Sequence, residues 1–123
     1  MILVDSSTWA DHLRASNPAL EDLLQSGSVL THPFVIGELA LGHLRRRSVF
    51  LTDLQLLPRA TMASDAEVLR LIDDAGLVAS GIGYVDAHLL AATRLTVDAT
   101  FLTHDRRLRA AAHRLGVAAE FSA

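Results

Sequence analysis

The chain has 123 residues, 50% hydrophobic and 20% charged, with a formal net charge of -3. It contains no cysteine, which excludes disulfides, thiolate zinc centres and cysteine nucleophiles, and all 11 basic residues are arginine, which excludes Schiff-base and P-loop lysine chemistry. The net acidity argues against broad nucleic-acid binding unless bound divalent cations reverse the local sign.

This length suits one domain, residues 1–123, that buries roughly two thirds of its unfolded surface in a single core. Met1 to Val4 is apolar but runs straight into Asp5 instead of a signal-peptide core, and no apolar run is long enough to cross a bilayer. The expectations are a cytoplasmic location and no membrane association.

Strand and helix signals alternate, which predicts an α/β fold with a central, mostly parallel sheet flanked by helices. Ile2 to Val4 reads as a buried strand, and the Ser6 or Ser7 hydroxyl is placed to cap a helix carrying Trp9 and Leu13. Asn17-Pro18 starts a helix through Leu20, Leu23 and Leu24 that stops before Gly27, and Ser28 to Leu30 suits a short strand. Pro33 opens a helix through Phe34, Leu41 and Leu44, and Arg45-Arg46-Arg47 leads into another that ends near Pro58. A short strand is expected at Ala60 to Met62, then a helix with Ser64 as cap, Glu67 completing a capping box, and Gly76 as stop. After the Gly81-Ile82-Gly83 turn, Val85, Leu89 and Ala92 repeat at helical spacing to about Thr96. Thr100 to Thr103 is the next strand, Asp105 caps a last helix that stops at Gly116, and Val117 to Phe121 is expected to return as an edge strand.

Four acids fall where surface decoration explains them poorly. Asp5 and Asp105 each follow a strand, at the carboxyl end of a parallel sheet where open α/β folds bind ligands. Glu38 shares a helix face with Phe34, Leu41 and Gly42, and Asp86 lies in the first turn of its helix. Each has a structural explanation too: helix caps for Asp5 and Asp105, an arginine partner for Glu38, the helix dipole for Asp86. Convergence at separations of roughly 4 to 6 Å would raise their pKa values unless cations intervene. Oxygen donors without cysteine or a metal-spaced histidine pair favour Mg2+ or Mn2+ over zinc.

The acids and their neighbours occur in a recognisable order. Val4-Asp5-Ser6-Ser7-Thr8-Trp9, Val35-Ile36-Gly37-Glu38-Leu39-Ala40-Leu41-Gly42, Tyr84-Val85-Asp86-Ala87-His88-Leu89-Leu90-Ala91-Ala92 and Leu102-Thr103-His104-Asp105-Arg106-Arg107-Leu108 resemble a PIN-domain ribonuclease, and within that family the VapC toxins of type II toxin-antitoxin modules. The resemblance spans essentially the whole chain and implies a PIN-like fold in which Asp5, Glu38, Asp86 and Asp105 are the catalytic, metal-binding acids. It further implies hydrolysis of RNA by metal-activated water, with Ser7 and Thr103 as supporting hydroxyls. Its implied partners are an RNA substrate, a cognate antitoxin that wraps the helices near residues 33 to 57, operator DNA reached only through that antitoxin, and a second copy of the chain.

Arg45, Arg106 and Arg107 are candidate RNA contacts, although arginine runs more often form a solvated face. His88 and His104 flank the acids, and a lone histidine is more often ordinary structure. Trp9 and Phe34 read as core or interface, and Asp98 as a turn residue. A phosphoacceptor receiver domain would need a lysine, a haloacid-dehalogenase phosphatase an Asp where Ser7 stands, and a dinucleotide-binding fold a Gly-rich turn after its first strand. The alternative from another class is a catalytically silent PIN-fold module that binds RNA or protein.

Overall fold

The computed structural model describes residues 1–120. Its sheet is parallel throughout, in the order β2-β1-β3, with β1 at Ile2–Val4, β2 at Val29–Leu30 and β3 at Thr100–Leu102. Leu3 stands opposite Leu30 on one side and Phe101 on the other. Strands enclosed on both faces read as continuous apolar runs, which is how Ile2 to Val4 reads.

The helices are α1 (Ser6–Arg14), α2 (Pro18–Gln25), α3 (Pro33–Ala40), α4 (Arg47–Leu56), α5 (Asp65–Asp74), α6 (Tyr84–Leu95) and α7 (Arg106–Arg114). Local chemistry sets most of their ends. Asn17 Oδ1 accepts from the Ala19 and Leu20 N–H groups while Pro18 occupies the first turn of α2, where its missing N–H costs nothing. Ser64 and Glu67 form the expected reciprocal capping box of α5. Gly76, at φ +63, takes the left-handed conformation that ends that helix without a Cβ clash.

Four local expectations need correction. Asp5, not Ser6 or Ser7, caps α1, because its Oδ1 accepts the Thr8 N–H at 3.0 Å. Helix α3 stops at Ala40, so Leu41 and Leu44 lie beyond it, and Leu41 is 90% exposed. No strand forms at Ala60 to Met62. Instead Thr31 makes a single parallel bridge to Arg59, with its N–H bonded to the Pro58 carbonyl and its own carbonyl to the Ala60 N–H. The final segment likewise makes one bridge, Phe101 to Ala118, and the expected strand's last residue, Phe121, lies outside the described residues.

Helix α6 is the element around which the core closes. Every residue from Ala87 to Thr93 is buried, so the helix has no solvent face over that stretch and packs against α5 and β3. The rest of the core is built on Leu3, Val4, Leu20, Val35, Leu54, Val68, Phe101 and Leu108. Each such buried aliphatic side chain contributes about 1.5–3 kcal/mol relative to exposure. Among the described residues, no helix is long and apolar enough to cross a membrane.

His32 is a polar residue inside this core. It is fully buried and caps α3, with Nδ1 accepting the Phe34 N–H at 3.0 Å. That bond puts the proton of the neutral ring on Nε2, which has no partner among the described residues. Charging the ring would protonate the nitrogen that serves as cap. Burial foremost, then the neighbouring His88 and Arg59 charges, bring the His32 pKa from 6.5 down to about 4. The unfolded chain therefore takes up this proton first as pH falls, and the folded state loses stability between about 6.5 and about 4. At 1.36 kcal/mol per unit the total loss is roughly 3 kcal/mol. Chemical denaturation of wild type and His32→Asn across this range should show a steeper decline for wild type; parallel curves would remove His32 as the cause.

Candidate active site

Asp5 sits at the carboxyl end of the central strand and is 4% exposed. Its backbone N–H continues the β1–β3 ladder by donating to the Leu102 carbonyl at 3.1 Å, and its side chain turns back into the first turn of α1. While Oδ1 takes the Thr8 N–H, Oδ2 accepts from Ser7 Oγ at 2.9 Å and from Thr103 Oγ1 at 2.6 Å. These three donors satisfy a carboxylate that would be costly to bury without partners. The Thr103 hydroxyl also accepts the Asp105 N–H at 3.0 Å, so Asp5 and the start of α7 are fixed through one oxygen.

Asp105 caps α7 through Oδ1, which accepts the Leu108 N–H at 2.9 Å. Asp86, in the first turn of α6, holds the Gly83 N–H with Oδ2 at 3.0 Å. These bonds satisfy the structural reading of each acid while leaving Asp86 Oδ1 and Asp105 Oδ2 without a hydrogen bond among the described residues. Each of these carboxylates thus uses one oxygen at a helix start and leaves the other without a hydrogen bond among the described residues.

The three aspartates feel one another. Burial is the main force holding the Asp86 carboxyl above its usual range; the Gly83 N–H acts in the opposite direction, and the Asp5 and Asp105 charges push it up further. Glu38 stands apart from this set. The expectation that it lies within an apolar stripe is corrected: Val35 and Leu39 form the buried face of α3, and the early end of the helix leaves Glu38 exposed. Its Oε1 accepts from Ser6 Oγ at 3.0 Å, which brings it to the α1 end of the site as a rim acid. Ser6 is the residue that sequence reasoning passed over, having been considered only as a cap. A hydroxyl directly after a strand-end acid was the available signal.

Among the described residues, no three Asp, Glu or His side chains are grouped tightly enough to ligate one ion directly. The donor chemistry nevertheless suits a hard divalent cation, which coordinates oxygens and, as Mg2+, commonly keeps several waters. The upward push of the Asp5 and Asp105 charges on Asp86 is the further sign of fit, since a cation relieves it. Asp5, Glu38, Asp86 and Asp105 are the side chains that would hold such an ion.

The flanking residues divide into those that face the site and those that do not. His88 is buried, with Nε2 at 3.1 Å from Asp65 Oδ1 and its ring edge-on to Phe34 and Tyr84. His104 Nδ1 pairs with Asp11 Oδ2 at 2.9 Å. Trp9 is a core residue packed edge-on against Phe50, and Phe34 packs between His32 and His88. Asp98 lies in a turn with φ 55. Arg106 and Arg107 begin α7 next to Asp105, whereas Arg45 lies beyond α3. A groove of about 770 Å³ runs from Ser6 and Glu38 past Leu39 and Phe50 to Arg45, between α1 and the α3–α4 region.

With strand-end acids at the carboxyl edge of a parallel sheet, the chain belongs to the PIN domain family, whose match covers residues 2–114. Its α/β architecture is accordingly the PIN fold. It is 44% identical over 118 residues to Ribonuclease VapC32 of Mycobacterium tuberculosis (strain CDC 1551 / Oshkosh), covering 96% of this chain and 95% of that relative. The Ribonuclease VapC32 of strain ATCC 25618 / H37Rv is similar with the same figures, 44% over 118 residues. No solved structure matches the chain.

The raised Asp86 pKa has a consequence for stability. An aspartate whose folded pKa is raised destabilises the fold at pH values above it, and the penalty disappears as pH falls through it. In metal-free buffer at neutral pH, Asp86→Asn should therefore melt at a higher temperature than wild type, with the gap closing in acid. A variant that melts at or below wild type at neutral pH would contradict the upward shift.

Proposed function

We propose that the chain, residues 1–123, is a single PIN domain that acts as a metal-dependent endoribonuclease, the toxin of a type II toxin-antitoxin module. The observation that carries this reading is the set of Asp5, Asp86 and Asp105 at one sheet edge, with free oxygens on the last two and mutual repulsion between them. The 44% identity to a ribonuclease over nearly the full length supports it from an independent direction.

When bound at these oxygens, Mg2+ or Mn2+ supplies an activated water and charge compensation at the scissile phosphate. The chain's own contribution is placement. Ser7 and Thr103 hold the Asp5 carboxylate in place, Gly83 orients Asp86, and Ser6 keeps Glu38 at the rim. Arg45, Arg106 and Arg107 supply positive charge around an acidic centre for the RNA backbone.

The groove beside Glu38 and Arg45 is where a cognate antitoxin would dock, presenting a cation to the acids, while its other half binds operator DNA. Leu41 and Leu56, 90% and 78% exposed, give the surrounding α3–α4 region apolar surface for that partner. A homodimer and a cytoplasmic location complete the proposal. A catalytically silent RNA- or protein-binding PIN module is the second reading, favoured by the lack, among the described residues, of three side chains grouped to ligate one ion.

Purified chain with Mg2+ or Mn2+ should cut single-stranded RNA to 5'-phosphate and 3'-hydroxyl ends, with loss of activity in chelator. Asp5→Asn and Asp86→Asn should each lower the rate by more than the roughly 10–100-fold that loss of a supporting group costs. Undiminished cleavage by both variants, or 2',3'-cyclic phosphate ends, would refute the site and mechanism. RNA binding without cleavage would establish the silent reading.

A further inference from the structure

Gly81 adopts φ +85, and a Cβ added there would lie 2.7 Å from both Cδ and Nη1 of Arg107 and 3.2 Å from its Cζ. The absence of a side chain at Gly81 is what lets the arginine lie against the turn. That turn ends at Gly83, whose N–H holds Asp86, and Arg107 itself belongs to the first turn of the helix that Asp105 caps. Arg107 thus spans the two acid-bearing segments. It forms no ion pair with either acid, or with any other carboxylate among the described residues.

We propose that Arg107, seated on Gly81, binds a backbone phosphate of single-stranded RNA beside the acid site. The inference rests on the nuclease reading for the identity of the ligand and assigns the contact to one of three candidate arginines. The guanidinium rests against the Gly81 backbone, and its planar fork suits two phosphate oxygens. The lack of an internal carboxylate partner leaves that fork available. The Gly81 contact gives the position a structural requirement as well, because any side chain there displaces the arginine.

The test is binding of a short fluorescein-labelled single-stranded RNA of mixed sequence, measured by anisotropy over a range of NaCl concentrations with Ca2+ in place of the catalytic metal. One lost phosphate contact on a single strand reduces the slope of log K against log salt by about 0.7. Arg107→Gln should show that reduction, Arg107→Lys should retain most of the slope, and Arg70→Gln, exposed on α5, should match wild type. Gly81→Ala, checked for folding by thermal melting, should reproduce the Arg107→Gln slope. An unchanged slope in Arg107→Gln overturns the proposal, and a lower melting temperature alongside it would make Arg107 a strut only. If that slope changes but no cleavage occurs with Mg2+ or Mn2+, the phosphate contact stands and the nuclease reading fails. Wild type that binds no RNA overturns both.

Discussion

The Asp5 carboxylate, buried at the end of the central strand, is the interaction on which the rest of the site depends. Its oxygens gather a helix N-terminus, a serine and a threonine from the far end of the chain. A buried carboxylate without such donors would be costly, so the first turn of α1 and the end of β3 are obliged to meet there. Thr103 passes the constraint on by accepting the Asp105 N–H. The edge of the sheet is therefore organised by charge satisfaction, whereas the sheet itself is organised by apolar burial.

A tension follows between these two demands. Helix α6 enters the core almost immediately after Asp86, which fixes the acid's backbone against β3 and leaves it little room to move from its neighbours. Tight packing raises the electrostatic cost of three nearby carboxylates, and the same rigidity keeps their free oxygens in place. Stability and site geometry pull in opposite directions at this one helix start.

Local chemistry was legible in the sequence wherever it acts over a few residues. Asn17-Pro18, the Ser64 and Glu67 box, and the Gly76 stop all behave as their side chains dictate. Ser7 and Thr103 were legible as hydroxyls next to acids, and both do bond to Asp5. Features set by distant contacts were not. Helical spacing puts Glu38 beside Leu41, but the helix ends at Ala40 and Glu38 turns to Ser6. The apolar character of Ala60 to Met62 suggests a strand, yet only Thr31 offers pairing groups there, and the Thr61 N–H goes to the Thr96 hydroxyl instead. The seating of Arg107 on Gly81 joins residues from separate elements and leaves no trace in local pattern.

The hydrogen bond from Thr103 to Asp5 spans 98 positions of sequence, and β1 pairs on one side with a strand that begins at Thr100. During synthesis the first acid emerges long before the hydroxyl that fixes it. A nascent chain shorter than about 100 residues has the first strand but not its third-strand neighbour, and its buried carboxylate has no reason to bury. Closing so long a loop is slow compared with forming the local helices. The site is thus withheld until the segment carrying β3 and Thr103 has been made, a delay written into the strand order.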